Sequence, residues 1–299
     1  MADSPLELTR TREWGVSSGR IAAVVWRFAS RKPVGAVSAV MILVMIAVAL
    51  GGQWIAPYPY DRLDIPIRLQ GPSWQHLAGT DIQGRDVFSR VIYGANTSVI
   101  IGFGAVFVST LIATTIGIIS GYKSGGFDTL VQRFVDVWQA FPGLIFVIFL
   151  VAILGASRAT LVITMGLLFS AGTSRLVRSA TIAISSESFV EAARSLGARD
   201  LRIWLRHILP NVVPIIIISM SLRVGSAIIL ESSLSFLGYG TPPPFPSWGR
   251  MLQEAQPQMT EHPYLAVVPG VAIAIAVYSF NMFGDALRDV LDPRLRGSR

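Results

Sequence analysis

Six stretches of the chain stay mostly apolar for more than twenty residues, at about 34–56, 97–120, 134–155, 159–181, 212–236 and 264–285. A helix rises about 1.5 Å per residue, so about 20 such residues cross the roughly 30 Å of hydrocarbon in a bilayer. No polar block between the stretches is long enough for a separate soluble fold. The pattern therefore predicts an all-α polytopic membrane protein with six transmembrane helices in one domain. The first stretch follows 33 residues and lacks a small-residue cleavage pattern after a short core, so it reads as a retained anchor.

Composition supports this picture: 52% of the 299 residues are hydrophobic and 14% are charged. An average soluble domain carries about 25% charged residues, so an ordinary soluble enzyme is excluded. With no cysteine in the chain, disulfides, thiol catalysis and thiolate metal sites are excluded together.

The net charge of +7 suggests nucleic acid until the basic residues are placed on the six-helix layout. With the N-terminus cytoplasmic, 18 of the 25 Lys and Arg fall inside, among them Arg10, Lys32, Lys123, Arg133, Arg175, Arg178, Arg194, Arg206 and Arg288. Six fall outside (Arg62, Arg68, Arg85, Arg90, Arg158, Arg250), and Arg223 lies within helix five. Basic residues collect on the cytoplasmic side of membrane proteins. Both termini are therefore expected inside, with lipid as the partner in place of nucleic acid. The layout becomes a cytoplasmic segment 1–33, a membrane domain 34–285 and a cytoplasmic tail 286–299. Within the domain, 57–96 and 237–263 are outer loops and 182–211 is a cytoplasmic segment.

That cytoplasmic segment, between helices four and five, contains Ser188-Phe-Val-Glu-Ala-Ala-Arg-Ser-Leu-Gly-Ala-Arg-Asp200 and then Arg206-His-Ile-Leu-Pro-Asn211. Ser188 with Glu191 three residues on spells a capping box, and Gly197 can accept the left-handed backbone that ends a helix. The expectation is a two-turn helix at the inner face, then a second short helix capped by Asp200 and stopped by Pro210. Phe189, Ala193 and Leu196 fall on one stripe, and Ala192 with Ala193 permits close approach of another surface. Such a helix is either a simple interfacial element or a plug for a groove on a cytosolic partner.

Glu191-Ala-Ala, Gly197 and Leu209-Pro210 together resemble the cytoplasmic signature of ABC importer permeases. The wider run from Val190 to Ala198 and Arg206 to Asn211 resembles the second permease subunit of the dipeptide and oligopeptide (peptide/opine/nickel) branch. Leu77-Ala-Gly-Thr-Asp-Ile-Gln-Gly-Arg-Asp86, Glu231 to Leu252 and Gly284 to Arg296 extend the likeness over most of the chain. Asn96 stands where that branch commonly has arginine, and Ala171 to Arg175 lacks a tryptophan often found there, which bears on the cargo.

The resemblance implies a permease of an ATP-driven, binding-protein-dependent importer in the bacterial inner membrane, forming half of the translocation path. Di- or oligopeptides are the expected cargo, with nickel, opine, glutathione or sugar as alternatives. The implied partners are a second related permease, two ATPase subunits and an extracytoplasmic substrate-binding protein. The chain itself would be non-catalytic and without cofactor, ATP and Mg²⁺ being bound by the ATPases. The short helix becomes a coupling helix, with Glu191, Ala192, Ala193, Leu196, Gly197 and Ala198 against the ATPase.

The residues carry no motif against this reading. Neither lysine, Lys32 nor Lys123, stands in a P-loop, and His76, His207 and His262 lie far apart in sequence. Gly117-Ile-Ile-Ser-Gly121 fits a small-residue packing pattern. Arg223 sits about eleven residues into helix five, where a charge costs roughly 2.5 to 3.5 kcal/mol, so it should face protein or water. Glu231, about 12 Å further along that helix, is too distant to pair with it. Both are candidate pathway or intersubunit residues. Asp136 reads as a local ion-pair partner of Arg133. An intramembrane enzyme centred on Asp136, Arg223 and Glu231 would lack a nucleophile and base, and an ion-coupled carrier would need ligands within broken helices.

Overall fold

The computed structural model describes Trp26 and residues 28 to 291. The N-terminal arginines Arg10, Arg12, Arg20 and Arg27, and tail residues Arg294, Arg296 and Arg299, lie outside the described residues. The regular elements are α1 (Pro33–Ile55), α2 (Val87–Lys123), α3 (Gly125–Ala140), α4 (Gly143–Leu154), α5 (Arg158–Ser185), α6 (Ser188–Ser195), α7 (Asp200–Phe236), α8 (Trp248–Ala255) and α9 (Tyr264–Leu291). Among the described residues, extended pairing is limited to one isolated bridge, Thr80 with Asp86.

Five helices, α1, α2, α5, α7 and α9, are long and apolar enough to cross a membrane, and the count reaches six when α3 and α4, bent by 87° at their junction, are taken as one span. The third expected stretch, 134–155, falls on this bent pair. Phe141 is extended (ψ 133°) and Pro142 begins the next helix; a residue before proline is pushed out of the helical region. Hydropathy does not register this bend because apolar residues continue through it.

Other boundaries shift for identifiable reasons. The loop expected to run to residue 96 ends at Asp86, whose carboxylate caps α2 by accepting from the Ser89 N–H at 2.7 Å. With 37 residues, α2 is about 55 Å long and extends well past the hydrocarbon. Within 182–211, α5 runs on to Ser185 and α7 begins at Asp200, with α6 between them. Pro210 does not stop a helix: α7 passes through a π turn at Trp204–Ile208, where the Leu209 N–H reaches the Trp204 carbonyl. Widening the coil just before the proline relieves the clash that its ring makes with the preceding turn.

Contacts between helix ends define two faces. On the first, Lys32 pairs with Asp289 near the end of α9, and Tyr122 in the last turn of α2 bonds Asp200 at the start of α7. On the second, Asn96 of α2 donates to the Ala49 carbonyl of α1 at 2.8 Å, and Arg158 at the start of α5 donates to Thr97 of α2 at 3.0 Å. The core lies between them, with Ile101, Ala105, Leu161, Met165, Ala227 and Ile228 buried together. Outward faces carry exposed Leu43, Leu50, Phe107 and Leu111, as lipid requires and water would not tolerate at this density.

Along the tightest contact, α2 lies against α5 through the predicted small-residue pair. A Cβ on Gly117 would stand 2.7 Å from the Val177 Cβ, and one on Gly121 would stand 2.8 Å from the Arg178 carbonyl oxygen. Gly117→Leu should force the helices apart at a cost on the order of 1 to 3 kcal/mol. The expected outcome is a lower thermal unfolding temperature in detergent, while Gly126→Leu, at a glycine with open space, serves as the unaffected control.

Candidate functional site

On the first face, α6 projects with a fixed base and a free tip. Val190 is fully buried in a cluster with Ile118, Val177, Ile203, Ile208 and Val212, which ties α6 to α2, α5 and α7 at once. Leu196 at the other end is 88% exposed, Glu191 and Ala192 are exposed, Ala193 is partly covered, and Phe189 on the same stripe is 42% exposed. Gly197 takes φ +77° and ends the helix as expected, with the Ala198 N–H reaching the Ala193 carbonyl at 3.1 Å. The capping box does not form. Ser188 already lies in the first turn, which the Glu191 N–H closes on the Glu187 carbonyl at 3.2 Å, and no side chain caps the helix.

Tyr122 fastens this base, a role the sequence reading missed. Its hydroxyl donates to Asp200 Oδ1 at 3.1 Å, its ring meets Trp204 edge-on at 5.8 Å, and the Arg194 guanidinium lies over it at 5.2 Å. One side chain therefore links the end of α2 with α6 and the start of α7, so a push on α6 is carried into two spans.

Further in, two ion pairs hold α3 against α5. Asp128 accepts both arms of Arg178, with Nε to Oδ1 at 2.6 Å, and also accepts from Ser120 of α2. Arg178, counted above only for its charge, is thus paired with a carboxylate of α3. Asp136 accepts from Arg175 of α5, while the expected local partner Arg133 stands at 3.7 Å and largely exposed. Eight residues of α3, about 12 Å, match only three residues of α5, about 4.5 Å. So α3 crosses α5 obliquely, and the bend then sends α4 along it.

Past the second ion pair, Gln139 of α3 and Arg223 of α7 approach the same glycine of α5. A Cβ on Gly172 would lie 3.1 Å from Arg223 Nη2 and 3.6 Å from Gln139 Nε2. The Arg223 guanidinium lies over the Phe169 ring at 5.4 Å, and no carboxylate among the described residues pairs with it. Glu231 is fully buried and far from this point, accepting from Ser98 of α2 at 2.9 Å and from Ser235 at 2.7 Å. The two in-span charges remain apart, as their spacing required.

The second face carries an ion network that joins its loop to α8. Asp81 accepts from Arg85 and Arg90, each at 2.6 Å; Glu254 of α8 accepts from Arg85 and Arg90, each at 2.8 Å, and from Arg250 at 3.0 Å. Burial raises the pKa of the Glu254 carboxyl, but the arginines, Arg90 foremost, outweigh it and hold the group below its ordinary value. The Asp81–Arg85 and Arg250–Glu254 spacings of four were visible signals; the long-range closure through Arg90 was not. Arg158 meanwhile stacks on Phe245 of the proline-rich loop at 4.8 Å.

Residues 113–297 match the family described as binding-protein-dependent transport system inner membrane component, and residues 22–72 match the N-terminal TM domain of oligopeptide transport permease C. The glutathione transport system permease protein GsiD of Escherichia coli O6:K15:H31 (strain 536 / UPEC) is 43% identical over 278 residues, covering 91% of this chain and 90% of that protein. The protein of the same name from Shigella boydii serotype 4 (strain Sb227) gives the same figures. Among solved structures, a chain of the inward-facing MetNI methionine ABC transporter (CY5 native crystal form) aligns with TM-score 0.57 at 16% identity, over 69% of this chain and 97% of that one. At that identity the likeness speaks for the fold.

The depressed Glu254 pKa makes a signed prediction. Its contribution is complete above the unfolded carboxylate pKa of about 4.3 and is lost as pH falls through the lower folded value. Trp248 fluorescence, from the same helix, should therefore hold steady from pH 7 to 5 and change only below about pH 4. Glu254→Gln should cost about 2 kcal/mol at pH 7 and flatten that acid response.

Proposed function

The chain belongs to the binding-protein-dependent transport system inner membrane component family, and from that premise we propose how this ABC importer permease works. It pairs with a second related permease, and the solute path runs between them. The basic face, with Lys32, Lys123, Arg194, Arg199, Arg202 and Arg206, is cytoplasmic, in keeping with the distribution of positive charge. Two ATPase subunits bind there, and a substrate-binding protein delivers cargo to the loops of the second face. ATP and Mg²⁺ belong to the ATPases, and this chain performs no catalysis.

The observation that carries the reading is α6, a small helix with an exposed apolar tip and a buried base. Glu191, Ala192, Ala193, Leu196, Gly197 and Ala198 enter a groove of the ATPase. When ATP closes the ATPase dimer, the groove displaces α6, and Val190 and Tyr122 convey the displacement to α2, α5 and α7. A helix on a floppy tether could not do this. Because its base is packed, movement of the tip reorients the spans that line the path, turning the permease pair from inward-open to outward-open.

Small peptides are the proposed cargo. The oligopeptide permease match at the N-terminus and the relatives named for glutathione, itself a tripeptide with one unusual linkage, both support a peptide-like solute.

Ala193→Trp should fill the close-contact surface while leaving the membrane core untouched. Expected are normal insertion, loss of ATPase co-purification and at least a tenfold fall in ATP-dependent peptide uptake. Uptake and co-purification equal to wild type would overturn the coupling role of α6.

A further inference from the structure

Gly172 stands at the midpoint of α5, about 20 Å from either end of that 28-residue helix. Two nitrogen donors lie against it: a Cβ there would stand 3.1 Å from Arg223 Nη2 and 3.6 Å from Gln139 Nε2. Arg223 rests on the Phe169 ring, which orients the guanidinium without neutralising it. Charges near it are already balanced: Asp136, three residues before Gln139, accepts from Arg175 and lies 3.7 Å from Arg133. Glu231, two turns along α7, is sealed among serines. A cation at this depth is costly unless an anion or water meets it.

The surroundings favour an open path over lipid. On α7, Arg223 shares a stripe with Ser219, Ser226 and Ser233, and on α5 Gly172 shares one with Ser179; these positions are partly or fully exposed. Ser179 and Ser233 bond the carbonyls of Arg175 and Ile229 one turn back in their own helices. Gln139 is exposed beside them. A lipid headgroup cannot reach mid-span. A phosphate dianion would leave charge unmatched by one cation, whereas a carboxylate fits one guanidinium and one amide.

We propose that Arg223, assisted by Gln139, binds the carboxylate of the solute as it passes the middle of the membrane. The proposal rests on the importer reading above and narrows its cargo to anionic, carboxylate-bearing solutes. The guanidinium takes the place of water around the carboxylate, and Phe169 keeps it flat so that two N–H groups face the path. Gly172, having no Cβ, lets the guanidinium lie close against α5.

Two measurements on the complete importer in lipid test this. In the first, ATP-dependent uptake of trialanine is compared with that of trialanine amide. Arg223→Gln should lower the acid-to-amide uptake ratio at least tenfold, and Arg223→Lys should lower it less. Equal losses for acid and amide, as expected if Arg223 only pairs with a carboxylate of the partner permease, would overturn the site, and so would a ratio equal to wild type. In the second, the complex in nanodiscs is titrated with glutarate and with glutaramide while the fluorescence of Trp138, next to Gln139, is followed. Glutarate should give a saturable change that glutaramide does not, at least tenfold weaker in Arg223→Gln. No preference for glutarate in wild type overturns the site whatever the cargo. If wild type carries neither peptide, the peptide reading falls and the titration alone decides the site.

Discussion

Asp128 receives both arms of Arg178 and the hydroxyl of Ser120, and the inner half of the molecule is arranged around that junction. It joins α2, α3 and α5 where α2 and α5 are already in glycine contact. A lone arginine or aspartate here would face an environment that penalises bare charge, and removing one partner of a buried pair costs more than the pair contributes. Bidentate geometry also fixes an angle, which a point charge would not. That angle sets α3 obliquely across α5, so the chain must turn at Phe141–Pro142 before α4 can run along it. The position of Gln139 beside Gly172 follows from the course of α3 before that turn.

Much of the fold was legible because hydrocarbon imposes a coarse rule that hydropathy reads well. α1, α5, α7 and α9 contain the apolar stretches assigned to them, and Gly197 ends α6 with the left-handed backbone its lack of Cβ permits. The rule fails where a helix leaves the hydrocarbon or bends within it. Residues 87–96 are helical but interrupted by Ser89, Arg90 and Asn96, so the apolar stretch assigned to α2 began later than the helix does. The 87° bend was invisible because Leu144 and Ile145 follow Phe141 with hardly a polar break. Pro210 misled because a π turn absorbs a proline that would stop an ordinary helix. The charge pairs were less legible still, since Arg178 and Asp128 are fifty residues apart and counting by sides sees only signs.

The site residues divide along the same line. α6 was readable as a helix with one apolar stripe and a small-residue surface, since capping and periodicity are local. Its mechanical base was not, because Val190, Tyr122, Asp200 and Trp204 meet only after three helices have packed. Arg223 was noticed as a charge at the wrong depth, yet the neighbours that give it meaning, Phe169, Gly172 and Gln139, come from α5 and α3. Glu231 was noticed for the same reason and has a different environment, closed in by Ser98 and Ser235. Depth alone flags a residue; only packing tells whether it faces a path or pins a joint.

These separations have a mechanical consequence. In the proposed coupling, α6 acts on α2, α5 and α7 through an apolar cluster and one tyrosine, contacts that tolerate a small rigid rotation because they are not directional in the way a bidentate ion pair is. The pairs that are directional, Asp128–Arg178 and Asp136–Arg175, bind α3 to α5 and should move as one body with it. Arg223 belongs to α7 and meets that body at Phe169 and Gly172, with no ion pair to it among the described residues. A displacement that shifts α7 relative to α3 and α5 therefore opens or closes the space between Arg223 and Gln139 without breaking a salt bridge.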